Sequence, residues 1–350
     1  MHMKKKLIAS LLLIAVAVSL FAGCAKTPKA DPRIKEALDG KKVLFVGSSA
    51  TYYGGCVTPI DTDEANFSND FSKRVNDTGF FYQLCRANGA EVNVVDWTFG
   101  GHGVTALLGT EPCAVRPPCE GTTPNGHLAY LTDRKYDYVI IEASYHGSAI
   151  EDSVENFKKY IKIFRDENPD VKIYYAVPHI VYARNWPNWR IKLLSTLEKE
   201  LDITILDWGT MVEDIINGKV QVPGAKESYN KSSFVVSKDP EDGYHQNILS
   251  GYLTALMAFS AITGVDAVGQ PYDFCYSKDN ANYPVSTRFL TEYYKESYYR
   301  YDNKETPDVN ERKTNFIEVF NSEADMKGLQ SLVNTYLADD TNAWEKYVTE

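Results

Sequence analysis

Residues 41–51 read KKVLFVGSSAT, and this stretch decides how the rest of the chain is interpreted. The unbroken apolar run from Val43 to Val46 is typical of a strand that is buried on both faces of a parallel sheet. Gly47 then opens a turn, so Ser49 is predicted to lie just beyond the carboxyl end of the strand. Open α/β sheets bind their ligands at that edge. Ser49 is therefore the first candidate functional residue.

A second short motif occurs late in the chain, where residues 242–245 read Asp-Gly-Tyr-His. The aspartate stands three residues before the histidine and just ahead of a helical pattern, so on a turn the two side chains lie side by side. Of the six histidines, only His245 has an aspartate at this spacing. Serine, histidine and aspartate form the nucleophile, the general base and the group that orients the base. The alternative interpretation is that Asp242 is the N-cap of a helix that begins near Gln246.

Together, in this order and setting, the two motifs resemble the first and last blocks of the SGNH/GDSL hydrolase superfamily. The resemblance spans roughly residues 41–265 and implies a flavodoxin-like fold and cleavage of esters. It implies Ser49, His245 and Asp242 as the catalytic residues. Because the family pattern places its serine two residues before the residue that Thr51 matches, Ser49 is preferred to the neighbouring Ser48.

The resemblance also implies two backbone donors for an oxyanion hole. The first is the N–H of Ser49 itself. The second belongs to residues 99–103, Phe-Gly-Gly-His-Gly, which resemble the glycine block of the family. In the glycine block of the family, a backbone N–H points into the site because glycine has no side chain to block it. Gly101 is the preferred donor, and Gly103 is the next choice.

The third family block normally supplies an asparagine after the third strand, and this chain departs from it. Residues 140–146 read IIEASYH and contain no asparagine. Two alternatives stay open: Ser144 replaces it as a hydroxyl donor to the oxyanion, or the site works with the two backbone donors alone. An ionised Glu142 is not a substitute, because a negative charge does not stabilise another.

Apolar runs alternate with helical patterns along the chain, which indicates right-handed crossovers and a parallel sheet covered on both faces. The predicted fold is a flavodoxin-like three-layer α/β/α domain over residues 41–270, followed by a tyrosine-rich helical extension over residues 271–350 that packs on the domain. Strands are expected near residues 43–47, 91–97, 137–143, 172–178 and 203–207. Helices are expected near residues 68–87, 152–167, 188–200 and 246–263, with further helical patterns near residues 310–338.

The first residues resemble a secretory signal, because Lys4 to Lys6 precede an apolar stretch and small residues precede Cys24. We expect residues 1–23 to be a bacterial lipoprotein signal peptide, with acyl chains attached to Cys24 and residues 24–40 acting as a tether. This arrangement would hold the protein at the extracellular face of the cell membrane through its lipid anchor alone. The alternative is an ordinary signal in which the cysteine is incidental.

Composition restricts the partners and cofactors. Removal of residues 1–23 takes away three lysines and no acids, so the mature balance is 34 − 47 = −13. Such an excess of acid argues against nucleic acid or anionic lipid as a ligand. The six cysteines lack the paired spacing of a zinc site, so no metal is assigned, and no cofactor is expected. Cys113 and Cys119 are the candidates for a disulfide bond.

The sequence therefore predicts a lipid-anchored serine esterase that acts on a small-molecule or glycan ester, with O-acetyl groups on a carbohydrate as the expected substrate. Two alternatives stay open. One is a degenerate SGNH-like domain that binds glycan without turnover. The other is a solute-binding lipoprotein of a transporter, which would have two similar lobes.

Overall fold

The computed structural model describes residues 31–47, 51, 54–57, 79–98, 133–142, 150–177, 187–226, 228–234, 246–272 and 322–338. The predicted signal peptide with Cys24, and the pair Cys113 and Cys119, lie outside the described residues and stay predictions. Within the described residues, Cys56 and Cys85 are buried free thiols.

The centre of the molecule is a five-stranded sheet in which every neighbouring pair of strands is parallel. Its spatial order is β2-β1-β3-β4-β5, which is the flavodoxin-like order. The predicted α/β class and the parallel sheet are thereby confirmed. The strands are Lys42–Gly47 (β1), Asn93–Thr98 (β2), Tyr138–Glu142 (β3), Lys172–Ala176 (β4) and Thr204–Leu206 (β5).

Helices cover both faces of the sheet, and the alternation of side chains along β1 shows how. Val43 and Phe45 belong to a buried cluster on one face, whereas Leu44 and Val46 belong to a cluster on the other face. Successive side chains of a strand point to opposite faces, so a run of apolar residues is needed when both faces are covered. The helices of the described residues are Pro32–Leu38 (α1), Phe80–Ala87 (α2), Ile150–Glu167 (α3), Pro187–Lys199 (α4), Trp208–Ile216 (α5), Ile248–Thr263 (α6) and Glu323–Ala338 (α7).

Helix α1 corrects the interpretation of residues 24–40 as a tether. Asp31 is the N-cap of α1, and its side chain accepts a hydrogen bond from the backbone N–H of Arg33. Ile34 and Leu38 are buried in the same cluster as α2 and α6. Ile34 and Leu38 are four residues apart and so lie on the same face of the helix, which packs against the domain. Residues 32–38 are therefore part of the folded domain.

Helix α5 was not predicted, although its sequence carries the pattern of a buried helix. Trp208, Met211, Val212 and Ile215 are all buried and recur at spacings of three and four residues. Because α5 begins only two residues after β5, it is easily read as part of the same apolar segment.

The C-terminal extension contributes helix α7, which packs against α5 and α6. Two polar side chains attach α7 to these helices in addition to its apolar face. Gln330 donates a hydrogen bond of 2.9 Å from its amide nitrogen to the hydroxyl of Tyr252 on α6. The hydroxyl of Tyr336 donates one of 2.6 Å to the carboxylate of Asp214 on α5.

Candidate active site

The carboxyl edge of the sheet, where β1 to β5 end, contains the point at which the strand order reverses. β1 has β2 on one side and β3 on the other, and in this fold the crevice between such strands is the usual place for a ligand. The last residue of β1, Gly47, is in register with Glu142, the last residue of β3. The candidate site therefore starts from two residues that the backbone holds next to each other.

Gly47 is enclosed so tightly that no side chain can occupy its position. A Cβ atom there would lie 2.0 Å from Oγ1 of Thr51 and 2.5 Å from the carbonyl oxygen of Glu142. Thr51 is itself buried, and its hydroxyl lies 3.5 Å from the same carbonyl oxygen. Residues 47 and 51, which flank Ser49 in sequence, thus both contact the end of β3.

The end of β3 also receives the segment that carries the second motif. The side-chain amide of Gln246 donates a hydrogen bond of 2.8 Å to Oε1 of Glu142. Gln246 follows His245 directly in sequence, and both Gln246 and Glu142 are fully buried. We refer to Gly47, Thr51, Glu142 and Gln246 as the Glu142 cluster. It joins the sequence neighbours of Ser49 to the sequence neighbour of His245.

The start of α6 is fixed by its own cap. Asn247 is the N-cap residue, and its side-chain oxygen accepts a hydrogen bond of 3.1 Å from the backbone N–H of Ser250. The amide nitrogen of Asn247 donates to the carbonyl oxygen of Ser233 at 2.8 Å. Because Asn247 fills the capping position, the alternative interpretation of Asp242 as the cap of this helix is wrong.

A second junction links the chain after Ser49 to α6. Gly251 lies one turn into α6, and a Cβ atom on it would come within 2.0 Å of the carbonyl oxygen of Gly54. A Cβ atom on Gly54 would in turn lie 2.5 Å from the carbonyl oxygen of Asn247. The two backbones touch because both residues are glycine. The approach of these two segments therefore does not depend on Glu142 alone.

Burial dominates the protonation of Glu142. It raises the pKa of this carboxyl from its ordinary value to about 8, although hydrogen bonds from Thr51 and Gln246 favour the ionised form and oppose the shift. The protonated acid is therefore the favoured form at neutral pH. The cause is that the fully buried side chain has lost the hydration that stabilises its charge.

Two further titratable groups lie at the same edge. The carboxylate of Asp96 on β2 accepts hydrogen bonds from the backbone N–H and the hydroxyl of Thr98, at 2.9 and 2.5 Å. The thiol of Cys56 is fully buried, and burial raises its pKa well above the ordinary value, with Glu142 and Asp96 adding to the shift. A thiol in these surroundings stays protonated and is not a nucleophile.

The predicted site residues themselves lie outside the described residues, and their roles stay predictions. They are Ser49, Asp242, His245, Gly101 and Ser144, with Gly103 as the alternative to Gly101. The structure does bring together the described residues that are their neighbours in sequence. Gly47 and Thr51 flank the predicted nucleophile, Gln246 follows the predicted base, and Glu142 stands two residues before Ser144.

Sequence reasoning missed Gln246 and Asp96 as members of this edge. Asp96 is a single charged residue within the apolar run of β2, which is a signal for a buried, hydrogen-bonded carboxyl group at a functional edge. Gln246 gives no such signal, because its partner Glu142 is 104 residues away in sequence.

A cavity of about 900 Å³ lies elsewhere in the molecule. Its lining includes Thr204 at the start of β5 and Ser260 and Gly264 at the end of α6. Ser260 lies twelve residues beyond Ile248, the first residue of α6, which corresponds to about 18 Å along the helix. The cavity therefore lies at the opposite edge of the sheet from the Glu142 cluster.

Within the described ranges, no helix is long and apolar enough to cross a bilayer. The same ranges contain no group of three or more His, Cys, Asp or Glu side chains able to hold a metal ion.

The chain is similar in structure to SGNH and GDSL hydrolases. A protein from Parabacteroides merdae described as a GDSL-like lipase is 16% identical with a TM-score of 0.40, and the match covers 68% of this chain and 99% of that chain. A family two carbohydrate esterase from Clostridium thermocellum, in complex with cellohexaose, is 15% identical with a TM-score of 0.36 over 64% of each chain. No protein-family model and no curated protein matches the sequence. These similarities concern the fold of the chain.

Proposed function

We propose that the protein is a serine hydrolase of the SGNH/GDSL kind that cleaves a carboxylic ester through an acyl-enzyme. The observation that carries this proposal is the hydrogen bond between Glu142 and Gln246. Glu142 is also in register with Gly47. Gly47, two positions before Ser49, contacts the backbone of Glu142, and Gln246, which follows His245, contacts its side chain. Both neighbours of the predicted catalytic residues therefore meet at the same residue of the carboxyl edge.

In the proposed reaction, the hydroxyl of Ser49 attacks the ester carbonyl while His245 accepts its proton. Asp242 orients the imidazole and stabilises the imidazolium that forms. The tetrahedral oxyanion accepts hydrogen bonds from the N–H groups of Ser49 and Gly101 and from the hydroxyl of Ser144. His245 then protonates the leaving alcohol, and water, activated in the same way, releases the acid and regenerates the serine.

The substrate class and location are further parts of the proposal. The charged and apolar N-terminal sequence before Cys24 supports a lipid anchor at the extracellular face of the membrane. An acidic protein at that surface meets carbohydrate rather than nucleic acid, and its many tyrosines suit the stacking of sugar rings. We therefore propose acetyl esters on a glycan as the substrate.

The proposal is tested by measuring acetate release from an activated acetyl ester. Ser49→Ala should lower kcat by about 10³-fold or more, because removal of a nucleophile leaves only the contribution of binding and the oxyanion hole. Ser48→Ala is the matched control and should retain activity. Equal rates for wild-type protein and Ser49→Ala would exclude this mechanism.

The second candidate function is glycan binding without catalysis, and the residues after β3 favour it. Residues 143–146 read Ala-Ser-Tyr-His and lack the asparagine that the resemblance implies after the third strand. A fluorophosphonate probe separates the two candidates, since it labels an activated serine and leaves an unactivated one unmodified. Labelling of Ser49 supports the hydrolase. Binding of oligosaccharide with no labelling supports the second candidate.

A further inference from the structure

The Glu142 cluster contains a buried acid whose chemistry the proposed reaction does not use. Glu142 has no exposed surface, and its two oxygens have different surroundings. Oε1 accepts the hydrogen bond from Gln246, whereas Oε2 has no hydrogen-bond partner within the described part of the chain. A carboxylate in such a place would be a poorly compensated charge, which is costly in a protein interior.

We propose that Glu142 is a positioning residue for the hydrolase. As a neutral carboxylic acid it holds Gln246, which follows His245, against Gly47 and Thr51, which flank Ser49. This inference rests on the proposed function for its effect on catalysis. The contacts of Glu142 support this role. Its side chain contacts Gln246, and its backbone contacts Gly47 and Thr51.

Ionisation of Glu142 should disturb this arrangement. A buried carboxylate is stabilised by contact with water, so loss of the proton should favour separation of Gln246 from Gly47 and Thr51. On the proposed function, the new negative charge also opposes the negative charge of the oxyanion. Both effects lower activity as the proton is lost.

The pH range of the effect follows from the groups that share these surroundings. Burial raises the pKa of Glu142 to about 8, so its proton is lost just above neutral pH. The pKa of Cys56 is raised well above its ordinary value, so this thiol stays neutral over the same range. Asp96, which accepts hydrogen bonds from the backbone N–H and the hydroxyl of Thr98, is a further acidic side chain of this edge within the described residues. His245 has to be neutral to act as a base, so its titration produces an acid limb and not an alkaline one.

Titration of Glu142 should also change the stability of the protein with pH, in one direction. The folded protein binds the Glu142 proton up to about pH 8, whereas the unfolded chain releases it near the ordinary value of 4.5. The contribution of Glu142 to stability is therefore fully present below that ordinary value, and it is lost as the pH rises through about 8.

The first experiment is the pH profile of kcat/KM for wild-type protein and Glu142→Gln, which keeps the shape and neutrality of the protonated acid. Wild-type kcat/KM should fall about tenfold between its plateau and one unit above the pKa. Glu142→Gln should remain within about threefold of wild type at pH 7 and should lack the alkaline limb. Glu142→Ala should lose activity at every pH. An alkaline limb that persists in Glu142→Gln would overturn the proposal, as would a folded but inactive Glu142→Gln.

The second experiment does not depend on catalysis. Stability is measured by urea unfolding from pH 5 to pH 9 in Ser49→Ala and in Ser49→Ala with Glu142→Gln. The loss of stability with rising pH should be smaller in the double variant. Glu167→Gln, which removes an exposed carboxyl at the end of α3, is the control and should not change the slope of stability against pH.

The two proposals can fail separately. If Ser49→Ala equals wild type in activity, the proposed hydrolysis through Ser49 is excluded, but the dependence of stability on pH still decides whether Glu142 is neutral. Equal slopes of stability against pH in Ser49→Ala and in the double variant would overturn the inference.

Discussion

Gly54 and Gly251 touch backbone to backbone, so that a Cβ atom on Gly251 would lie within 2.0 Å of the carbonyl oxygen of Gly54. The contact joins the chain that follows Ser49 to the first turns of α6, which follow His245. Gly251→Ala should therefore force these segments apart, and overpacking of this kind typically costs about 1 to 3 kcal/mol or more. Hydrolysis should fall further than stability alone explains.

The measurement for Gly251→Ala is urea unfolding together with ester hydrolysis at a temperature where the variant is folded. Lys159→Ala, an exposed position on α3, is the control and should change the free energy of unfolding by less than about 0.5 kcal/mol. A Gly251→Ala protein with wild-type stability would show that the two backbones are not held in contact in solution.

Gln246→Ala should move the titration of Glu142 to higher pH. The hydrogen bond from Gln246 favours the ionised carboxylate, so its loss raises the pKa of Glu142 further above about 8. The variant should also be less stable by about 1 to 3 kcal/mol, because a buried acceptor loses its donor. Unfolding measured as a function of pH tests both effects. A titration that moves to lower pH would contradict the hydrogen bond.

Cys56 and Cys85 should be inert in the folded protein. Both thiols are fully buried, and burial raises the pKa of each above its ordinary value. Treatment with iodoacetamide at pH 8, followed by peptide mapping, should leave both unmodified, whereas the same treatment in urea should modify both. Rapid modification of Cys56 in the native protein would mean that the region beneath the Glu142 cluster is open to solvent.

Leu38→Ala should destabilise the whole domain, although residue 38 lies where the sequence predicted a tether. Leu38 is fully buried, and truncation of a buried leucine costs about 2 to 5 kcal/mol. Lys35→Ala on the exposed side of α1 is the matched control and should have little effect. Equal unfolding curves for the two variants would place α1 outside the cooperative domain.

The sheet could be predicted from sequence because each strand is a short apolar run between turns, as Val43 to Val46 illustrate. Such runs mark strands buried on both faces, and their alternation with helices selects a parallel sheet. Helix α1 could not be separated from a tether by the same reasoning, because it buries only Ile34 and Leu38 and is rich in charge.

The Glu142 cluster shows a second feature that could not be predicted from sequence. The sequence indicates that residues after β1 and before α6 carry serine hydrolase chemistry, and the fold brings the described neighbours of those residues together. The raised pKa of Glu142 could not be derived from sequence, because it depends on the complete burial of this side chain. Desolvation is a property of the packed structure, and spacing along the chain contains no measure of it.

The position of α1 has a consequence for how the molecule would stand on a membrane. Arg33 at the start of α1 donates a hydrogen bond of 2.6 Å to the carbonyl oxygen of Gly264, at the far end of α6 from Gln246. On the proposal that Cys24 is acylated, the seven residues to Asp31 reach at most about 25 Å. The lipid bilayer would then face the amino ends of the strands, and the Glu142 cluster at their carboxyl ends would face away from the membrane, toward polymers of the cell's surroundings rather than toward the headgroups beneath it.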